Sequence, residues 1–146
     1  MLSAIRLATA TVALVAASLS TVAAEPFGTW LTGDKQAQIR VDRCGPRLCG
    51  TIVWLKEPID SATGLPQVDD KNPDRARQRR PIMGLRIFAM SPASDGAWSG
   101  AIYNADDGKN YRATIRETSP SQLTVRGCAG IFCGDDIWTR VEQRKR

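Results

Sequence analysis

Short segments in which apolar and polar residues alternate recur along the chain after residue 27. Residues 37–42 alternate Ala, Ile and Val with Gln, Arg and Asp, and residues 111–116 alternate Tyr, Ala and Ile with Arg and Thr. A period of two places alternate side chains on one face, which predicts half-buried β-strands. Apolar or β-branched runs predict further strands at residues 27–31, 48–55, 82–90, 98–103, 123–125 and 137–142. No segment has the spacing of a long amphipathic helix.

Turn-forming residues separate these strand segments. Gly45-Pro46, Asp107-Gly108 and Ser119-Pro120 each lie between two of them. About eight short strands punctuated by turns predict an all-β, antiparallel barrel or sandwich. Closure into a barrel would leave no exposed strand edge.

Residues 56–81 lack this regular succession of strands and turns, which predicts one long loop. The segment contains four prolines, and a structureless loop of this length is unusual in a compact domain. A short helix is expected within it, with Asn72 as N-cap, Pro73 at the first helical position and Pro81 beyond its end.

The first 24 residues differ from the rest and predict a secretory signal peptide. Arg6 is their one charged residue, the run Leu7 to Leu19 is apolar or small, and small residues end at Ala24. The apolar run is shorter than the ~20 residues needed to span a bilayer, which argues against a membrane anchor. We therefore expect an exported protein without a membrane span, folded as one domain over residues 25–146.

The composition leaves few groups for catalysis. The 146 residues include 20 Lys and Arg, 15 Asp and Glu and no His, for a net charge of +5. The lack of His excludes Ser-His and Cys-His catalytic pairs, and no serine lies in a Gly-x-Ser-x-Gly motif. Asp69, Asp70 and Asp74 lack the spacing of a calcium loop. We expect no enzyme activity, catalytic residue, metal or cofactor.

Four cysteines form two pairs with the same C-x4-C spacing, Cys44 with Cys49 and Cys128 with Cys133. In an oxidising compartment an even number of cysteines predicts disulfides, and local pairing is the interpretation we favour. A four-thiolate zinc site is the alternative, although structural zinc usually uses C-x2-C spacing. A redox-active pair is disfavoured because C-x-x-C is absent.

Several short motifs together resemble an exported bacterial family, the domain of unknown function 2147. They lie at residues 28–30 (Gly-Thr-Trp), 44–55 (Cys-Gly-Pro-Arg-Leu-Cys-Gly-Thr-Ile-Val-Trp-Leu), 72–73 (Asn-Pro), 80–84 (Arg-Pro-Ile-Met-Gly), 98–103 (Trp-Ser-Gly-Ala-Ile-Tyr), 107–111 (Asp-Gly-Lys-Asn-Tyr), 125–130 (Val-Arg-Gly-Cys-Ala-Gly) and 138–140 (Trp-Thr-Arg). The resemblance implies an eight-stranded, lipocalin-like (calycin) barrel in the bacterial periplasm or outside the cell. Asp135-Asp136 departs from the polar or basic residues expected there.

The resemblance to lipocalins also implies a structural contact. In such barrels a Gly-x-Trp on the first strand packs against an Arg on the last strand at the closed end. The corresponding residues are Trp30 and Arg140. A guanidinium can lie on an indole face and still donate hydrogen bonds to carbonyl oxygens.

Two groups of residues are candidates for ligand binding. The first is a basic cluster in the long loop, which includes Arg79 and Arg80 and would form an anion site at a barrel mouth. The second is the aromatic set Trp54, Trp98 and Tyr103, which would line the interior of a barrel. The plainer interpretations are a solvated loop and core packing.

The sequence therefore predicts an exported binding module for a small, partly apolar or anionic ligand, which would include a lipid. The alternative is a structural or protein-interaction module of the cell envelope with a solid core, and an interior cavity below ~300 Å³ would favour it. Nucleic acid is not an expected partner, because no basic stripe with interleaved aromatics is present. The sequence makes no prediction of oligomeric state.

Overall fold

Eight antiparallel strands pair in chain order and close into a barrel. The structure is a computed structural model that describes residues 25–142, so the predicted signal peptide at residues 1–24 lies outside the described residues. The strands are β1 (Gly28–Leu31), β2 (Ala37–Cys44), β3 (Arg47–Leu55), β4 (Arg86–Pro92), β5 (Trp98–Asn104), β6 (Lys109–Ser119), β7 (Gln122–Ala129) and β8 (Phe132–Arg140). Trp30 opposite Arg140 joins β1 to β8 and closes the barrel. The predicted all-β barrel is confirmed.

The two ends of the barrel differ. The loop end carries the turns at residues 32–36, 105–108 and 130–131 and the long loop 56–85, and the closed end carries the turns at 45–46, 93–97 and 120–121. Side chains from all around the barrel fill the half nearest the closed end. Those that are essentially inaccessible to solvent include Trp30, Val41, Leu48, Met90, Ile115 and Leu123. Strand alternation thus produces a solid core in one half of the barrel.

Two strands begin well away from the predicted residue, because pairing partners decide where strands begin. β4 begins at Arg86 and not at residue 82. Residues 82–85 form a turn instead, in which Gly84 N donates to Ile52 O at 2.8 Å. β8 begins at Phe132 and not at residue 137, because β7 pairs with it through Gly127 opposite Gly134. Glycine and cysteine do not predict a strand locally, and tertiary pairing overrides that weak propensity.

The predicted helix in the long loop is a single 3₁₀ turn, Arg75–Arg77. Its N-cap is Asp74, whose Oδ1 accepts from Ala76 N at 3.0 Å. The prediction of Asn72 as the cap is therefore wrong. Asn72 is buried, and its side-chain oxygen accepts from Asp74 N at 2.9 Å one residue before the 3₁₀ turn.

Both cysteine pairs form local disulfides, as predicted. Cys44–Cys49 closes the β2–β3 turn and Cys128–Cys133 closes the β7–β8 turn. Each bond fixes a hairpin turn at one end of the barrel.

Among residues 25–142, none of the helices has the length and apolar character needed to cross a bilayer.

Candidate ligand-binding site

The half of the barrel nearest the loop end contains a cavity of about 410 Å³, here called the barrel cavity. Its walls are mainly apolar and come from most of the strands and from the long loop. They include Ile39, Ile52, Leu55, Ile82, Ile87, Ile102, Val125 and Trp138. Ligand pockets usually enclose about 300–1,000 Å³, so the barrel cavity is large enough for a small molecule.

Residues without bulky side chains leave this space open. Gly127 and Gly134 lie opposite each other on β7 and β8 and both line the barrel cavity. A Cβ atom added at either glycine would have no heavy atom within 4 Å. Inward positions of the closed half carry bulky side chains instead, such as Leu48, Ile115 and Leu123, which explains why one half is solid and the other hollow.

Carboxylates surround the mouth of the barrel cavity. Asp34, Asp106 and Asp136 line it, and Asp136 Oδ2 accepts a hydrogen bond from Trp138 Nε1 at 2.7 Å. Asp135 lies beside them but pairs with Arg126 at 2.9 Å. None of the lysines and arginines in residues 25–142 lines this cavity. The mouth therefore favours a positively charged or hydrogen-bond-donating group over an anion.

The long loop is attached to the barrel wall by a buried carboxylate. Asp69 is 0% exposed and accepts from Tyr103 Oη at 2.5 Å. Its Oδ2 also accepts from Arg80 Nε at 2.8 Å, Arg80 Nη2 at 2.7 Å and Asn72 Nδ2 at 2.9 Å. Buried charges are tolerated when they are paired and hydrogen-bonded in this way. Because Tyr103 lies on β5, this Asp69 network connects residues 69–80 to the strands that enclose the barrel cavity.

The environment of Tyr103 changes its acidity. Burial, together with the hydrogen bond that its hydroxyl donates to Asp69, raises the pKa of Tyr103 above its ordinary value of 10.0. Both effects disfavour the phenolate, because it would be poorly solvated and would lie next to a carboxylate. Tyr103 is therefore a neutral hydrogen-bond donor at neutral pH. Asp69, one of the three carboxylates compared above with a calcium loop, is thus the hydrogen-bond acceptor of the Asp69 network.

A second concave site, here called the outer cleft, lies outside the barrel. It encloses about 570 Å³ between residues 72–80 of the long loop and strands β4 and β5. Arg77, Arg80 and Arg86 line it together with one carboxylate, Asp74. The outer cleft and the barrel cavity share Tyr103 and Ile87 as lining residues.

The predicted arginines do not lie at the barrel mouth. Arg80 lines the outer cleft, and its guanidinium lies 5.6 Å from the centre of the Tyr103 ring. Arg79 is exposed and lines neither the outer cleft nor the barrel cavity. The reason is that residues 67–82 return along the barrel wall, where Asp69 N donates to Arg80 O at 3.0 Å. Of the predicted ligand-binding residues, Tyr103 borders the barrel cavity.

The two predicted tryptophans lie away from the barrel cavity. Trp54 is exposed on the outer surface, because β3 has a bulge at Val53: Ile39 pairs with Ile52, whereas Gln38 pairs with Trp54. One extra residue reverses the face on which the following side chain lies. Trp98 lies at the closed end, where the guanidinium of Arg43 is 5.9 Å from its ring centre.

Trp30 and Arg140 are in contact at the closed end. The Arg140 guanidinium lies 4.1 Å from the Trp30 ring centre, within the range of a cation–π interaction. Its Nη1 also donates to Phe27 O at 2.6 Å, and its Nε donates to Pro120 O at 2.6 Å. Arg140 thereby links the start of the barrel to the β6–β7 turn.

Sequence reasoning missed the residues that shape the site most. The sequence motifs at residues 125–130 include Gly127 but no motif includes Gly134, and Asp69 stands out in sequence only among carboxylates that lack the spacing of a calcium loop. Arg86 was assigned to a strand without a role. The alternation of β7 could have identified Gly127 as an inward position, because it continues the series of Leu123 and Val125.

Comparisons with known proteins agree with this architecture. The model of a family described as "Uncharacterized protein conserved in bacteria (DUF2147)" matches residues 28–140. Protein HP1028 of the human pathogen Helicobacter pylori, described as belonging to the lipocalin family, superposes with a TM-score of 0.67 at 16% identity, covering 81% of this chain and 84% of that chain. This likeness shows a shared fold. A search of curated proteins found no match.

Proposed function

The chain belongs to the DUF2147 family of bacterial proteins, and we propose that this member is a lipocalin-like binding module for a small, partly apolar ligand. The observation that carries the proposal is the barrel cavity of about 410 Å³ with its apolar walls. Its volume exceeds the limit below which a solid, ligand-free core would be favoured. The protein acts by binding and not by catalysis.

The charge at the mouth narrows the ligand class. An apolar body would contact Ile52, Ile102 and Val125, while its polar end would face Asp34 and Asp136. An anionic end would lie among carboxylates, whereas an amine or another hydrogen-bond donor would be stabilised by them. Of the two predicted classes, the barrel cavity therefore favours the partly apolar ligand over the anionic one, and in particular an apolar molecule with a cationic or hydrogen-bond-donating group.

Export to an oxidising compartment is part of this proposal. The two local disulfides, Cys44–Cys49 and Cys128–Cys133, support it, because such bonds persist outside the cytosol. A protein in the periplasm or outside the cell could bind a small molecule there and release it elsewhere.

The test compares two dyes of similar size, N-phenylnaphthylamine and anilinonaphthalene sulfonate. We expect the uncharged amine to bind the wild-type protein with enhanced fluorescence and the sulfonate to bind less well. Gly127→Leu should place its side chain in the barrel cavity without a clash, since its Cβ would have no neighbour within 4 Å. We expect this substitution to cost at least about 1.4 kcal/mol of binding free energy, which would weaken dye binding at least tenfold.

Thr139→Leu is the matched control, because Thr139 is exposed on β8 and does not line the barrel cavity. This variant should bind the amine dye like the wild type. Circular dichroism should show that both variants remain folded. Undiminished dye binding by a folded Gly127→Leu variant would contradict the proposal.

A second candidate function is protein interaction through the β7–β8 turn. Ile131 and Phe132 are 90% and 79% exposed at this tip, which the Cys128–Cys133 disulfide closes. Two large apolar side chains on a constrained turn could insert into a pocket of a partner protein. This observation favours the interaction module as the alternative to ligand binding.

Site-specific photo-crosslinking tests this alternative. A photoreactive phenylalanine analogue at position 132 should give one discrete adduct in cells that express the protein. The same analogue in place of Ile59, an exposed residue of the long loop, is the control. Identical adducts from both positions, or none from position 132, would exclude the tip as a docking element.

A further inference from the structure

One of the arginines that line the outer cleft is held in a fixed position. Arg80 directs Nε and Nη2 to Asp69 Oδ2, at 2.8 Å and 2.7 Å, and packs against the Tyr103 ring. A guanidinium has five N–H donors, so Asp69 uses two and three remain. The Arg80 side chain is 35% exposed and lines the outer cleft. Its free donors are thus held in place by the Asp69 network before any ligand arrives.

The other two arginines supply charge around this fixed donor. Arg77 pairs with Asp74 at 3.3 Å, but both side chains are more than half exposed, so the pair is weak. Arg86 makes no side-chain hydrogen bond or ion pair with any residue between 25 and 142. If Asp69 balances Arg80 and Asp74 balances Arg77, Arg86 leaves the outer cleft with an uncompensated positive charge.

The remaining lining of the outer cleft is largely apolar. Ile87, Ala89 and Ala101 of β4 and β5 contribute to it, and Tyr103 lies beneath Arg80. A charged rim over an apolar floor suits a molecule that carries an anionic group on a compact apolar body. Guanidinium groups form paired hydrogen bonds with both phosphate and carboxylate oxygens.

We propose that the outer cleft is a second binding site, specific for a small organic anion with a phosphate or carboxylate on a compact apolar group. Arg80 and Arg86 bind the anion and the floor of β4 and β5 contacts the apolar part. The site is distinct from the barrel cavity, although the two share Tyr103 and Ile87, because the mouth of the barrel cavity carries carboxylates and favours the opposite charge. The two sites can therefore be tested separately.

Nuclear magnetic resonance of the arginine Nε–Hε groups provides the test, with phenyl phosphate, benzoate and inorganic phosphate as probes. We expect saturable shifts at Arg80 and Arg86. Phenyl phosphate should bind more tightly than inorganic phosphate because its ring reaches the apolar floor. The comparison of phenyl phosphate with benzoate identifies the preferred anion on the same ring. Arg86→Gln should weaken binding roughly tenfold, since it removes a charge-assisted hydrogen bond.

Arg75→Gln and Arg79→Gln are matched controls. Both residues are exposed on the same loop and lie outside the lining of the outer cleft, so each variant removes the same charge without altering the site. These variants should bind phenyl phosphate within about twofold of the wild type, as expected for screened surface charges. Ala101→Asp should abolish binding, because it adds a carboxylate to the floor.

Three results would overturn the proposal. The first is an equal loss of affinity in Arg79→Gln and Arg86→Gln, which would indicate a diffuse effect of loop charge. The second is equal affinity for inorganic phosphate and phenyl phosphate, which would remove the apolar contact. The third is the absence of saturation at probe concentrations well above about 1 mM. Arg86→Gln should leave the binding of N-phenylnaphthylamine unchanged, which separates this proposal from that of the barrel cavity.

Discussion

Replacement of Asp69 by Asn tests whether the buried carboxylate holds the long loop on the barrel. The carboxylate accepts hydrogen bonds from Tyr103, Arg80 and Asn72. In Asp69→Asn the amide oxygen can still accept from Tyr103, but the amide N–H groups would face the donors of Arg80 and Asn72. Arg80 would lose its counter-ion.

The structure sets the size of the effect. Removing one partner of a fully buried ion pair costs about 3–5 kcal/mol. Asp69 is fully buried, whereas the Arg80 side chain is 35% exposed and can be partly solvated by water. We therefore expect a loss of about 2–3 kcal/mol, below the fully buried range. This corresponds to a decrease in Tm of roughly 8–12 °C for a domain of this size.

Urea unfolding with intact disulfides measures this loss, and amide hydrogen exchange shows where it occurs. The loop hydrogen bonds Asp69 N to Arg80 O and Ile82 N to Gln67 O should exchange faster in the variant. Asp70→Asn is the control: Asp70 is exposed and forms an exposed ion pair with Lys71, so stability should change by less than about 0.5 kcal/mol.

A result that leaves both global stability and loop exchange in Asp69→Asn equal to the control would refute this reasoning. It would mean that the ion pair contributes no more than an apolar contact of similar shape. Such neutrality is known for buried ion pairs when both partners are replaced together.

Two other predictions follow from local geometry. Gly28→Ala should lose about 1–3 kcal/mol in thermal unfolding, because φ is +129° and its Cβ would lie 2.6 Å from Arg140 Nη1. Gly130→Ala should lose less, because its φ of +61° lies in the left-handed region and its Cβ would have no neighbour within 4 Å. In an ultraviolet pH titration both tyrosines should ionise above pH 10.0, since burial raises the pKa of Tyr103 and the hydrogen bond to Asp107 raises that of Tyr111. The stability that these neutral phenols contribute is therefore complete below their ordinary pKa and is lost as pH rises through the raised values. An ordinary ionisation midpoint for Tyr103 in the titration would contradict its burial.

Most of the fold could be predicted from local patterns in the sequence. The alternation in residues 37–42 and 111–116 predicted β2 and β6, and the C-x4-C spacing predicted both disulfides. These features depend on residues that are close in the chain. The positions of individual side chains in the site were harder to predict. Trp54 follows the expected alternation in sequence, yet the bulge at Val53 turns it outward.

By itself, the sequence determined the class of fold, the position of three of its turns and its two disulfides, because periodicity, turn residues and cysteine spacing act over a few residues. The tertiary structure alone decided that the barrel is solid in one half and hollow in the other, and that arginines lie outside while carboxylates surround the mouth. Asp69 meets Tyr103 across 34 positions in the chain. Contacts of that kind depend on strand register and on the path of the long loop, which no local pattern specifies.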